Sequence, residues 1–430
     1  MKYRFILVTL LLVFLSFSGK AFQITKDSTY LTTIENVDFN TEDATNQYLQ
    51  TLSAEQKENS DSYFEGGYWL DLLAIVIELI IAWIFLSFGL SRWIKNRAEK
   101  FRNVHIQNFI YLVLYFLFSY ILVFPFTIYR GFFREHSYNL SNMNFGGWFS
   151  EEMIGLALSM FLLSIFIVLL YWVIRKVKES WWIWGSVIMV IFLVFSMFIS
   201  PVFISPLFNE YKPLENQEIK EEILSMARAN GVPADNVYQF DASKQSNRIS
   251  ANVSGIGSTI RISLNDNLLN QCSPAEIKAV MAHELGHYVL NHVYEMLIYI
   301  AILIFIGMAF VNWAFHKLIK RFKTRWAISG ISDIVGFPLF VFLFSAFFFI
   351  TSPVMNNIVR SNEVEADNYG LNTACEPDGF ASVAMKLSTY RKINPGKLEE
   401  YIFFDHPSGK TRVYNAMQWK AEHLDEFAED

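Results

Sequence analysis

Six long apolar runs constrain this chain more than any other feature. They lie at roughly 68–90, 105–129, 152–174, 181–205, 293–315 and 331–355. At about 1.5 Å of helical rise per residue, each is long enough to cross a bilayer core about 30 Å thick. Six such runs are too many for buried core helices of a soluble protein, so they predict a mainly α, polytopic membrane protein. Composition agrees. Of 430 residues, 53% are hydrophobic and only 18% are charged, against about 25% charged in an ordinary soluble domain. The net charge of −6 is modest. No Lys/Arg cluster sits on a soluble segment, so nucleic-acid binding has no support.

The start of the chain reads in two ways. Met1-Lys2-Tyr3-Arg4 is basic, residues 5–17 are apolar, and Gly19-Lys20-Ala21 follows. This is either a signal peptide at 1–21 or a short first transmembrane helix. Six and seven spans are therefore both open. The predicted plan continues with a polar extramembrane segment at 22–67 and four spans within 68–208. A soluble segment at 209–292, two more spans at 293–355 and a second soluble segment at 356–430 complete it.

Basic residues set the orientation. Arg92, Lys95, Arg97, Lys100 and Arg102 share one loop; Arg175, Lys176 and Lys178 share another; Lys317, Lys320, Arg321, Lys323 and Arg325 share a third. An even number of crossings separates these loops, so they fall on one side, which the positive-inside rule makes cytoplasmic. The soluble segments then lie outside the cytoplasm. Inside the first span sit Asp71 and Glu78. A carboxylate at membrane depth is costly unless it faces a water-filled cavity or a partner, so both are candidates to line a chamber.

The soluble segments carry the chemistry. Ile219 to Asn230 is predicted helical and Val237 to Phe240 a short strand. Ser258 to Leu264 alternates as a second strand. Between the strands, Asn252-Val253-Ser254-Gly255-Ile256-Gly257 offers accessible backbone, suited either to a substrate edge, with Val253, Ser254 and Gly255 at its centre, or to a plain hairpin connection. Ser273-Pro274-Ala275-Glu276 has the pattern of a capping box with proline at the first helical position. Two turns on comes His283-Glu284-Leu285-Gly286-His287. Histidines four apart project from one helical face and can hold one Zn2+. Glu284 sits beside them as a candidate general base.

A catalytic zinc needs a third protein ligand. Glu363-Val364-Glu365-Ala366-Asp367 follows the last span. Glu363 is the best candidate and Glu365 its competitor, while Asp367 is placed to orient a ligand imidazole. His406 is a candidate donor to an oxyanion. His292, five residues after His287, falls off the metal-facing stripe, and His105, His136, His316 and His423 have no constellation. The two cysteines, Cys272 and Cys375, cannot build a Cys-rich site, and a disulfide between them stays open.

Taken together, these motifs resemble the integral-membrane zinc CAAX prenyl protease family, the type-one CAAX endopeptidases. The matching pieces are Pro206-Leu207-Phe208-Asn209, Asp241-x-Ser243-Lys244, Asn252, His283-Glu284-x-x-His287, Glu363-x-x-Ala366-Asp367 and His406-Pro407-x-x-x-x-Arg412. The resemblance implies transmembrane helices enclosing a large chamber, capped by a zincin-like α+β metallopeptidase domain made from the two soluble segments. It implies one Zn2+ on His283, His287 and Glu363. It also implies substrate or oxyanion roles for Asn252 and His406, and Arg412 as an outer support alongside Asp367. The expected partners are a lipid bilayer and a peptide or membrane-protein substrate, in the family a prenylated one. Eukaryotic members place the zinc domain in the cytosol, whereas the basic loops here predict the opposite face. Two rivals remain at this stage: a membrane quality-control protease, and a transporter or scaffold with a structural metal.

Overall fold

The computed structural model describes residues 39–255 and 260–427. The readings of residues 1–21 fall outside the described residues, as do positions 256–257 of the segment between the expected strands and 258–259 at the start of the second. A short helix α1, Thr41–Leu49, leads into α2, Ala54–Ser87. The helix α2 starts well inside the stretch expected to be a polar extramembrane segment. Ser53 and Gln56 form a reciprocal capping box there, and the Ala-Glu-Gln-Lys-Glu run that follows favours helix. The polar turns have partners. Ser60 Oγ donates to the carbonyls of Ser388 (2.7 Å) and Arg391 (2.9 Å), and Tyr63 donates to Glu135 at 2.7 Å.

After α3, Leu90–Ala98, come α4, Val104–Ile128, α5, Phe145–Val177, and α6, Trp181–Ile199. The last two spans are α9, His292–Arg321, and α10, Phe337–Ala374. Five continuous helical stretches among the described residues are long and apolar enough to cross a membrane. One of them contains both α5 and α6. The chain reverses at Lys178, which takes a positive φ of 49°, and Phe166 of one arm stacks on Phe192 of the other at 4.2 Å. The described residues thus supply six apolar arms. Their inner faces meet around Tyr111, Tyr171, Trp181, Phe315 and Phe337, all fully buried. Their outer faces leave Phe161, Ile191 and Val202 exposed, the inside-out pattern expected of helices facing lipid.

The basic loops share one end of the bundle: Arg92 donates to the carbonyls of Trp326 and Ala327, and Lys95 pairs with Asp333 at 3.1 Å. At the other end, Arg248 pairs with Glu135 at 2.6 Å and Asn142 donates to the Ser243 carbonyl at 2.8 Å, joining the loop after α4 to the extramembrane domain.

That domain is built from both soluble segments. Its sheet has the order β1-β2-β4-β3, with β1 Tyr211–Pro213, β2 Val237–Phe240, β3 Ala251–Ser254 and β4 Arg261–Asn265. The central pair β2 and β4 is parallel and the outer pairs are antiparallel, so β3 lies at an edge. Helix α7, Gln217–Ala229, and helix α8, Pro274–Val289, cover the sheet, and Ile223, Val237, Ile262, Met281 and Leu285 form the core between them. The second segment adds the end of α10 together with α11, Pro377–Leu387, α12, Lys397–Phe403, and α13, Gly409–Glu422. Cys272 and Cys375 are free thiols, which closes the disulfide possibility.

Candidate active site

The site is organised on α8. Its start matches the sequence expectation: Ser273 caps, Pro274 occupies the first helical position, and Glu276 reaches back to the Ser273 amide at 2.6 Å. Glu276 does more than cap. It accepts from Lys386 Nζ and Ser382 Oγ of α11, each at 2.6 Å. Burial would raise its carboxyl, but Lys386, Ser382 and the Ser273 amide hold it below its ordinary value.

Two turns later the motif meets α10. Helix packing distances are set by side-chain size at the contact, and here two glycines remove it. A Cβ on Gly370 would stand 3.0 Å from the His283 nitrogen and 3.1 Å from its Cα, and one on Gly286 would stand 3.0 Å from the Tyr369 ring. This close approach brings Glu363 to the histidines. Its carboxylate oxygens lie 3.4 Å from His283 Nε2 and 3.4 Å from His287 Nε2, and the two Nε2 atoms are 3.1 Å apart. One ligand atom from each of His283, His287 and Glu363 falls within 4.8 Å of the others.

The donor set fits a metal ion on chemistry as well as distance. Both imidazoles turn Nε2 toward Glu363 and have Nδ1 occupied behind. His283 Nδ1 is 2.8 Å from Asp367 Oδ1, although off the axis of an ideal hydrogen bond. Arg412 grips Asp367 through two contacts, Nε to Oδ2 at 2.9 Å and Nη2 to Oδ1 at 2.5 Å. Burial alone would lower the His283 pKa, but Asp367 and Glu363 raise it to about 9. So much negative charge around the buried His283 and the half-buried His287 suits a divalent cation, which would take the place of that proton.

His406 joins from the loop before α13. Its Nε2 is 3.3 Å from Glu363 Oε2, and its Nδ1 bonds Asp405 at 2.8 Å. Glu284 lines a cleft of about 170 Å³ with Ala251, Tyr390, Arg391, His406 and Arg412, and burial raises its carboxyl above the ordinary range. Of β3, Ala251 reaches this cleft and Asn252 is not among the lining residues. Strand alternation accounts for this, since Ala251 and Val253 pack toward the core and Asn252 faces the other way. Val253 and Ser254 lie along the strand's free edge, and Gly255 follows at φ 97°. Glu365 is not in the ligand cluster. It is 62% exposed and its Oε2 lies 3.3 Å from His292 Nε2. His292, which the sequence spacing sets aside, lies 2.9 Å from His287, Nδ1 to Nδ1.

Asp71 and Glu78 both line a much larger chamber of about 1430 Å³ among α2, α4 and α10. Asp71 pairs with Arg130 at 2.9 Å, and Glu78 accepts from Ser345 Oγ at 3.0 Å. The family-like stretches at 206–209 and 241–244 do structural work. Asp241 accepts from the Glu210 amide at 2.7 Å, and Asn209 donates to Gln245 at 3.1 Å, anchoring the domain where it leaves the membrane.

Comparison with known proteins agrees with this geometry. Residues 213–420 match peptidase family M48, and residues 35–210 match the CAAX prenyl protease N-terminal region, described as five membrane helices. The uncharacterized metalloprotease YhfN of Bacillus subtilis is 28% identical over 83% of this chain and 84% of its own length. CAAX prenyl protease 1 of Saccharomyces cerevisiae is 27% identical over 71% of each. In fold, the crystal structure of S. mikatae Ste24p superposes with a TM-score of 0.70 at 22% identity, covering 97% of this chain and 99% of that one. A metal-ligand cluster on a membrane-embedded helical scaffold, with these two regions together matched over most of residues 35–420, makes this chain a multi-pass metalloendopeptidase of the M48 CAAX prenyl protease family.

Proposed function

We propose that the protein is a zinc endopeptidase, with one Zn2+ per chain, that cleaves membrane-associated peptides delivered from the bilayer side through its chamber. The observation that carries this reading is that the two cavities are adjacent. Asp405 lines the large chamber, and its neighbour His406 lines the catalytic cleft. The chamber wall is mainly apolar, with Ile77, Val123, Phe126 and Ile350 among its residues. It therefore suits a substrate carrying a lipid or a hydrophobic segment, the class to which CAAX-type prenylated peptides belong.

His283, His287 and Glu363 would hold the zinc, which would supply a Lewis acid and lower the pKa of a bound water toward neutrality. The substrate backbone adds to the free edge of β3, along Val253 and Ser254, as a further strand. Glu284 takes the proton from the attacking water and passes it to the leaving amine. His406, held by Asp405 through its Nδ1–H, donates from Nε2 in its doubly protonated form to the oxyanion that forms on the scissile carbonyl. Asn252 acts on the substrate from the outer face of the same strand rather than from the cleft floor. The catalytic domain faces away from the cytoplasm, in line with the basic loops at the opposite end.

The test is cleavage of a lipidated peptide and its unlipidated counterpart by purified protein in bilayers. Glu284→Gln is expected to retain zinc and lose about 100-fold or more of the rate, the usual scale of general-base catalysis. The lipidated peptide is expected to be the better substrate. Wild-type rates from Glu284→Gln would remove Glu284 from the mechanism, and equal rates on both peptides would remove the chamber from substrate selection.

A further inference from the structure

The two metal-binding imidazoles are not supported alike. Behind His283 stand a carboxylate and an arginine, Asp367 and Arg412. Behind His287 stands another histidine. Its place there follows from the backbone. On a continuous helix, residues five apart differ by about 140° around the axis, which would turn His292 away from His287. Helix α8 ends at Val289, and Asn291 then adopts a left-handed conformation, φ 62° and ψ 28°. That residue redirects the chain into α9, and His292, the first residue of α9, folds back against His287. His292 is 3% exposed, and its ring meets that of His287 with centroids 5.1 Å apart.

The proton positions follow from the metal side. A ligand imidazole bonded through Nε2 carries its hydrogen on Nδ1. For His287 that Nδ1–H points to His292 Nδ1, 2.9 Å away, which must then be the acceptor. His292 carries its own hydrogen on Nε2, 3.3 Å from Glu365 Oε2, and a carboxylate can only accept. Every donor along this line meets an acceptor, with one tautomer allowed at each ring.

We infer that His292 is a positioning residue for the metal centre, fixing the tautomer and ring orientation of His287 by accepting its Nδ1–H, with Glu365 fixing His292 in turn. This rests on the reading of His287 as a metal ligand. It makes the line Glu365–His292–His287 the counterpart of Arg412–Asp367–His283. It also ties the centre to both membrane-entering helices, since His292 begins α9 and Glu365 lies on α10. Outer supports of ligand histidines typically account for about 10- to 100-fold in metal affinity.

The experiment is zinc affinity by chelator competition on the full-length protein, with the visible absorption of the cobalt-substituted site as a second readout. His292→Ala is expected to weaken zinc about 10- to 100-fold and to alter the cobalt spectrum. His292→Asn places an amide oxygen near the position of Nδ1 and is expected to restore most of both. Glu365→Ala is expected to weaken zinc by less than His292→Ala. Wild-type affinity in His292→Ala, or an Asn variant as weak as the Ala variant, overturns the inference. Failure of the wild type itself to bind zinc would instead overturn the metal assignment, so the two failures are told apart.

Discussion

Glu276 shows how much one residue can carry at a distance from the reaction. Its carboxylate closes the capping box and bridges α8 to α11, and it is nearly inaccessible. A hydrogen bond to a charged group contributes about 1.5–3 kcal/mol, so Glu276→Gln is expected to lower the thermal unfolding midpoint at neutral pH. The pH dependence has a definite sign. The folded-state pKa lies below the ordinary value of 4.5. The stabilisation is therefore present above that value and is lost as pH falls through the folded one. Thermal unfolding followed between about pH 6 and 3 should show the wild-type advantage over Glu276→Gln shrinking toward the acid end. A gap that stays constant would detach Glu276 from this linkage.

At the scale of elements, the contact between α8 and α10 governs the centre. Gly370→Ala would gain about 1 kcal/mol in helix propensity. The added methyl, however, meets backbone atoms of His283 at 3.0 and 3.1 Å, and backbone cannot step aside as a flexible side chain can. Overpacking costs about 1–3 kcal/mol, so the clash wins. The variant should be destabilised and should hold metal more weakly, whereas Gly155→Ala, which meets nothing within 4 Å, should do neither. Zinc affinity measured on both variants decides the matter; equal affinities would show that α8 and α10 can part without harm.

These same elements show what could be read from the sequence. His283 with His287, and Glu363 with Asp367, were legible because each pair sits on one continuous helix, where spacing fixes direction. Glu276 was legible as a cap for the same reason. His292 was not, because a single left-handed residue, Asn291, breaks the helical arithmetic. The early start of α2 was hidden for a different reason. Ser60 and Tyr63 look like water-facing residues, yet they bond the 388–391 turn and Glu135. Asn252 was legible only as part of a substrate edge or a connection between two strands; that it lies on a strand of its own, and which face it presents, depend on a register that only pairing with β4 fixes.

For the whole molecule, the two ends of the bundle differ in kind. The basic loops close one end, and the metal domain caps the other. The native thiols offer a direct probe of which side is which. Cys375 is exposed in the metal domain, whereas burial raises Cys272 to about 11 and keeps it protonated. A membrane-impermeant maleimide applied to intact cells is expected to label Cys375 and spare Cys272, with both reacting after denaturation. Labelling of Cys375 only after the membrane is opened would place the metal domain in the cytoplasm.

The 38-residue helix α10 enters this picture as a single rod, running from the buried turn at Ile334–Gly336 through the apolar layer to Glu363 and on to Ala374. Residue count along a rod is also angle. Removing one residue between Pro353 and Glu363 would turn the carboxylate by about 100° and draw it back by about 1.5 Å, taking it out of reach of both imidazoles. Most membrane spans absorb a lengthening or shortening by tilting. This one cannot change length between Pro353 and Glu363 without moving that carboxylate away from the imidazoles, so the register of a membrane span answers to a side chain that lies outside the bilayer.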